Sequence, residues 1–535
     1  MNFLIKHLKF SLVIDSIIFS NKIISMLLKK LISLLLLFTA IIGYSQLKPF
    51  SIISDNMVLQ RNIPVPLWGT AQGSNEVEIL FASKTKKVTV IDGKWLIKLD
   101  AMKESSIPQD LTIKTDKEAL VFHNIVIGDV WIAGGQSNME RQLGPRPPQK
   151  PLDNWESEAA NADYPLIREF SLPHNGNRLI PVESINAQWA ICNPKNVVKF
   201  SAVGYYFAKT LNQQINVPIG IIHSSWGGTP IEKWISKEAL DNNPDFQKVV
   251  ETYNQSIANY PNALTFFKEH KDSIIKKWQE DSALSAISKK PLAKKPSPPQ
   301  NPQTNGDCGG LFKTMIEPFL KYPIKGAIWY QGEANVGNTP LYRKLMPAMI
   351  ADWRSKWGIG DFPFLCVQLA PYRSNTPELR EAQLMSVQKV KNTALIVTLD
   401  SGDTTDIHPT HKKVVGERLA LAARAIAYNE KLIEYSGPIF KSFTIKDDKV
   451  KIDFTHIGKG LTCNGSDLVG FTISEDGKSF VKAQAFINNN QVVVSANGIS
   501  NPVAVRYAFI NNANGNLFNQ EGLPASPFRT DIPKE

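Results

Sequence analysis

The residues that could do chemistry begin at Gly134-Gly135-Gln136-Ser137-Asn138-Met139-Glu140. The apolar run Val126–Ala133 before them reads as a buried strand. Two glycines let the chain turn sharply at the strand's carboxyl end, where open α/β sheets place ligands. A serine on such a turn is a nucleophile if a histidine from elsewhere takes its proton. Three further motifs follow strand-like runs: Trp226-Gly227-Gly228-Thr229-Pro230, Trp329-Tyr330-Gln331-Gly332-Glu333-Ala334-Asn335 and Asp403-Thr404-Thr405-Asp406-Ile407-His408-Pro409. Together they offer a hydroxyl, an open backbone N–H, a side-chain amide and an imidazole with carboxylates beside it. That set suits acyl transfer.

The chemistry suggests roles. Ser137 is the nucleophile and His408 the general base. A carboxylate, Asp406 or Asp403, steadies the other ring nitrogen. The N–H of Ser137, the N–H of Gly227 and the amide of Asn335 are the oxyanion donors. Taken singly, each has a plainer reading. Gly227-Gly228 could be a simple turn, Asn335 a helix cap, Glu333 an ion-pair partner and His408 a helix-entry residue. His223 and His411 are the nearest other histidines, and both read as satisfied or solvated. The joint occurrence of the four motifs favours catalysis.

These motifs need a scaffold. Strands are predicted at 126–133, 219–225, 325–330, 364–369 and 394–400, with amphipathic helices at Phe200–Asn212 and Thr410–Tyr428. That alternation argues an α/β fold with a mostly parallel, doubly wound sheet over 126–435. An insertion at about 231–310 reads as helical to 285, then as an extended Pro/Lys-rich loop over 289–306. Short alternating runs predict β modules on either side, a small sandwich at 47–125 and a second module at 436–535. Residues 1–46 read as a leader. Met26 looks like the true start, and Leu31–Ile42 has the length of a signal-peptide apolar core, too short to span a bilayer. This predicts a secreted or periplasmic protein with no stable membrane span once the leader is cut.

The chain has 535 residues, 43% of them hydrophobic and 20% charged, which places it among globular proteins. Its +11 formal charge forms no long basic run, so a nucleic-acid partner is not expected. The four cysteines include no C-x-x-C, so no zinc or redox site is expected. Whether Cys192 pairs with Cys308 is open, and Cys366 reads as packed in a strand.

The order Ser, Gly, Asn, His resembles the four-block pattern of SGNH hydrolases. The forms GGQSNME, SSWGGTPIEKW, WYQGEANV and DIHPTHKKVVGERLALAAR resemble the sialate O-acetylesterase family. The likeness runs from about Lys48 to the C-terminus and includes Asp55–Arg61 and Pro64–Gly69. It implies an SGNH-hydrolase-like sheet and an esterase that removes O-acetyl groups, the 9-O-acetyl foremost, from sialic acids without metal or cofactor. Carried over, Ser137 is nucleophile, Gly227 and Asn335 are oxyanion donors, and His408 is base. The superfamily often has its aspartate three residues before the histidine, where this chain has Thr405. Asp406 is therefore the first choice for the acid, Asp403 the second and Glu333 the third, with a Ser–His dyad helped by a backbone carbonyl also open. An O-acetylated sugar is the expected partner, and the carboxylate of a sialic acid calls for an arginine: Arg141, Arg373 or Arg380. Arg380 sits in a family-like segment and, with Gln136, is assigned to substrate contact. Trp226 and Trp329 could stack on sugar faces or pack in the core. The alternatives are an acetyl esterase on xylan or another plant polysaccharide, and a non-catalytic glycan-binding protein.

Overall fold

The computed structural model describes residues 46–288 and 292–532. The leader reading falls on residues 1–45, outside the described residues, apart from Gln46. Residues 289–291 of the predicted loop also lie outside them.

The chain divides into two compact units. One holds the described residues up to Pro49, Trp68–Ile97 and Thr112–Val121; the other holds Phe50–Leu67, Lys98–Leu111 and everything from Phe122 onward. The first unit is antiparallel β structure. Residues 46–49 pair with 69–72, and Glu76–Phe81 forms a hairpin with Lys84–Thr89. Val77, Ile79 and Phe81 are buried while alternate residues face out, the period-2 pattern that selects a strand. Ala82 and Ser83 turn the hairpin with φ of 51° and 59°, the positive pair a type I′ turn requires.

The second unit is built on a mixed sheet with a mainly parallel core. Its strands are β1 (Ala119–Gly135), β2 (Tyr164–Ser171), β3 (Trp189–Cys192), β4 (Ile219–Ser225), β5 (Gly326–Tyr330), β6 (Phe364–Val367) and β7 (Thr393–Ile396). The spatial order is β3-β2-β4-β1-β5-β6-β7. All neighbours run parallel except the edge pair β3–β2. The edge strands β2 and β3 are not among the predicted ones. β3 is short, and β2 carries Arg168 and Glu169, whose burial depends on partners distant in sequence.

Helices α1 (Ser137–Glu140), α2 (Ala202–Ile215), α3 (Gln247–Ile287), α4 (Thr339–Trp357), α5 (Pro377–Lys389) and α6 (Lys412–Ala427) connect the strands. Helix α2 starts where Ser201 Oγ accepts the Gly204 N–H at 3.1 Å and stops at left-handed Asn216. Ile328 and Tyr330 of β5 share a core with Phe207 and Leu211 of α2 and Val415 and Leu419 of α6. Between them Trp329 points the other way, edge-on to Trp353 of α4. The sheet is thus covered on both faces, as near-continuous apolar parallel strands require. In the predicted insertion, short helical turns at Ile231–Trp234, Lys237–Asp241 and Pro244–Phe246 lead into the 41-residue α3, and 292–300 has no regular structure.

From Ile439 to Arg529 the chain returns to antiparallel β. Two four-stranded sheets enclose a core that includes Ile452, Val492, Ile473, Tyr507 and Phe528. All four cysteines are free, and Cys366 is fully buried in β6. Among the described residues, no helix is long and apolar enough to cross a membrane.

Candidate active site

The four motifs leave the carboxyl ends of their strands or the loop beyond β7. Gly135 has φ of 135°, and a Cβ there would lie 2.2 Å from the Tyr330 carbonyl oxygen. Only glycine permits this turn against β5. Gln136 closes it from inside: its N–H donates to Tyr330 O at 3.0 Å, and its side-chain oxygen accepts from the Gly332 and Ala334 N–H groups at 3.4 and 3.3 Å. Gln136 is buried and binds the first motif to the third, so the substrate contact expected of it is not what its contacts provide.

Ser137 opens α1, half-buried, with its Oγ 2.9 Å from His408 Nε2. The two residues are 271 positions apart, so the fold alone makes this contact. His408 rides on a loop tied down at several points. Arg418 of α6 grips Asp400 through two bonds of 2.7 and 2.6 Å at the loop's start. Asp403 Oδ1 accepts the Thr405 N–H at 2.8 Å and the Asp406 N–H at 3.2 Å, while Lys150 holds its other oxygen at 2.6 Å. Asn138 Nδ2 donates to the Ile407 carbonyl at 3.0 Å.

Three carboxylates were weighed for the acid, and the structure separates them. Asp403 is spent on the turn and Lys150. Glu333 is half-buried with its Oε2 sealed from solvent, and it receives a hydrogen bond from Asn138 Nδ2. Asp406 Oδ1 accepts the His408 N–H at 2.9 Å and lies 3.7 Å from His408 Nδ1. It is the carboxylate on the ring's second nitrogen, at ion-pair rather than hydrogen-bond distance. Burial lowers the His408 pKa, with Lys412, Arg146 and Arg141 adding to the effect and Asp406 opposing it.

The groups expected to serve as oxyanion donors are placed unevenly. Among the described residues nothing accepts from the Ser137 N–H. Asn335 is buried; its oxygen accepts from the Ile231 N–H at 2.9 Å and Gln331 Nε2 at 2.7 Å. One of its amide hydrogens goes to Glu232 Oε2 at 3.0 Å, which leaves the second available. The Gly227 N–H is not open as expected, because it donates to Glu140 Oε2 at 2.6 Å. A Cβ on Gly227 would fall 3.2 Å from Ser137 Cβ, so this glycine does abut the serine. Glu140 is opposed by burial but held ionised, at a pKa of about 2, by His174 and Arg146. Arg146 contacts it at 2.6 Å and His174 at 3.4 Å. His174 also stacks on Trp226, with ring centroids 4.4 Å apart.

Arg380 requires a correction. Its guanidinium is fully buried and donates to the carbonyls of Asn375, Ile510 and Asn511, so no substrate reaches it. Its neighbour Glu381 pairs with Arg529, not with it. Arg141 is likewise consumed by the carbonyls of Gln142, Gly144 and Lys150. Arg373 is exposed and lies over Tyr372. Trp329 is core, while Trp226 is half-buried beside Gly227. His223 bonds Ser225 at 2.6 Å and His411 pairs with Asp153, both away from Ser137. Sequence reasoning missed Glu140, Arg146 and His174. The acid at 140 was visible three residues after the serine, on the same helical face, but nothing local marked its partners. Among the described residues, no group of three or more His, Cys, Asp or Glu side chains gathers to hold a metal ion.

Residues 127–282 and 308–425 match the family described as carbohydrate esterase, sialic acid-specific acetylesterase. The chain is 31% identical over 437 residues to a sialate O-acetylesterase of Rattus norvegicus, covering 74% of this chain and 76% of the rat protein. It is 29% identical over 448 residues to the sialate O-acetylesterase of Homo sapiens, covering 76% of each. Among solved structures, a carbohydrate acetylesterase from Xanthomonas citri superposes with a TM-score of 0.74 at 32% identity, covering 90% of this chain and 99% of that one.

Proposed function

The chain belongs to the sialic acid-specific acetylesterase family of carbohydrate esterases, and from that membership we propose that it removes O-acetyl groups, the 9-O-acetyl foremost, from sialic acids with Ser137, His408 and Asp406 as its triad on an SGNH-type sheet. The observation that carries the catalytic reading is the 2.9 Å contact between Ser137 Oγ and His408 Nε2. His408 takes the serine proton as Oγ attacks the acetyl carbonyl, and its imidazolium is steadied by Asp406. The carbonyl oxygen becomes an oxyanion beside the Ser137 N–H and the second amide hydrogen of Asn335. His408 then protonates the departing sugar hydroxyl. A water, deprotonated by His408, attacks the acetyl-serine and releases acetate. Gly227 joins the oxyanion donors when Glu140 Oε2 leaves its N–H, with Oε1 still held by Arg146 and His174. The leader reading makes the enzyme secreted or periplasmic.

Acetate release from 9-O-acetylated N-acetylneuraminic acid, compared with acetylated xylan at matched ester concentration, tests the substrate. Higher kcat/KM on the sialic acid, abolished in Ser137→Ala, is expected. Preference for xylan would reassign the substrate, and activity surviving Ser137→Ala would remove the nucleophile.

A further inference from the structure

Directly behind Ser137 lies a buried charged cluster that the acyl-transfer steps leave unused. Asn138 is its joint. Its Oδ1 accepts from Lys412 Nζ at 2.6 Å, and its Nδ2 serves both Glu333 and the Ile407 carbonyl. Lys412 is 1% exposed, begins α6 and lies 5.2 Å from the centre of the Tyr330 ring. Glu333 sits in the third motif, and its second oxygen, Oε2, has no hydrogen-bond partner. Taking the Lys412 ammonium and the inward Glu333 carboxylate oxygen out of water is costly, so packing alone does not account for them.

We propose that Glu333, Asn138 and Lys412 form a buried strut that sets the height of the His408 loop over Ser137, with Lys412 and Glu333 as positioning residues. The strut ties together three motifs: Asn138 follows the nucleophile, Glu333 belongs to the β5 motif and Ile407 precedes the base. Because Asn138 reaches the loop through the carbonyl next to His408, a shift of the asparagine moves the imidazole-bearing backbone and so changes the Ser137–His408 contact. The charges act on the base as well. His408 faces Lys412, Asp406, Arg146 and Arg141. Lys412 in turn faces Glu333, Arg141 and Asp406; burial lowers its pKa to about 7, against the pull of Glu333. Glu333 itself is raised by burial.

The inference rests on Ser137 and His408 being the catalytic pair, and its test keeps the two claims apart. In the full chain, kcat, KM and the pH profile of kcat/KM are measured on p-nitrophenyl acetate for Ser137→Ala, Glu333→Ala, Glu333→Gln and the double variant Lys412→Met/Glu333→Gln. The double variant removes both charges together and leaves neither unpaired in the core, which protects folding. A displaced base costs about 100-fold, so Glu333→Ala and the double variant should lose about that in kcat with KM little changed. Glu333→Gln keeps an acceptor for Asn138 and should recover most of the loss. The double variant should also move the acid limb to higher pH, because a cation leaves the neighbourhood of His408. A purely structural cluster would not produce that shift. Wild-type kcat and acid limb in a folded double variant, with Ser137→Ala inactive, would overturn the strut alone. Activity in Ser137→Ala would overturn the catalytic reading instead.

Discussion

Asp406→Asn separates the carboxylate's charge from its geometry. Asparagine keeps an oxygen for the His408 N–H, now accepted at 2.9 Å, so the loop should hold. What disappears is a negative charge 3.7 Å from His408 Nδ1. At an effective dielectric of about 20, unit charges at that separation interact by about 4.5 kcal/mol, equivalent to roughly three powers of ten in rate. Both side chains are about a fifth exposed, and solvent screens part of that. The distance also exceeds a hydrogen bond, so the loss should fall short of the roughly ten-thousandfold typical of a tightly bonded triad aspartate. We expect kcat to fall on the order of 10²- to 10³-fold, KM to change little and the melting temperature to stay near wild type. Acetate release on the sialate ester, with Asp403→Asn in parallel, is the assay. Asp403 holds Lys150 and the turn and should cost far less. If Asp403→Asn cripples the enzyme at matched stability while Asp406→Asn is mild, the two roles exchange. A wild-type rate in both would leave a Ser–His dyad.

Ser137→Ala and His408→Ala should each remove on the order of 10⁶ from kcat, and the double variant should be no worse, since the pair acts as a unit; multiplicative losses on p-nitrophenyl acetate would refute this. Gly227→Ala puts a Cβ 2.9 Å from Glu140 Oε2 and 3.2 Å from Ser137 Cβ, so kcat should fall about 100-fold while circular dichroism stays unchanged. An unaffected rate would place Gly227 outside the reacting centre. The general base works only when neutral, and burial lowers the His408 pKa, so the acid limb of kcat/KM should lie below the ordinary imidazole value of about 6.5. A limb above it would mean that another group is the base.

The parallel core was legible because its strands are continuous apolar runs ended by glycine turns: β4 is observed over the predicted 219–225, and β5 starts one residue later than predicted. Helices α2 and α6 showed their apolar period and fall within three residues of the expected bounds. The edge pair β3–β2 was not legible: β3 is four residues long, and on β2 Arg168 is buried by donating to the carbonyls of Met57 and Asn124, far away in sequence. The Ser137–His408 contact followed from residue types and strand ends alone. Arg380 misled for the opposite reason: a local segment announces an arginine but not that backbone carbonyls from Ile510 and Asn511 fold over it. Likewise, the glutamate after the serine was plain, but its bond to Gly227 depends on where β4 ends.

The Gly227 N–H is already engaged by Glu140 Oε2. An amide hydrogen bears one strong acceptor, and at Gly227 that acceptor is already an anion. If Gly227 is an oxyanion donor as proposed, Glu140 is a placeholder for the charge that appears only during turnover. While it is seated, the amide stays aimed and water is kept off it, so the donor needs no rebuilding when the ester arrives. Seat and charge are exclusive, however. On the proposed mechanism, each acyl transfer that uses Gly227 must first lift Oε2 from the amide, while Arg146 and His174 keep hold of Oε1.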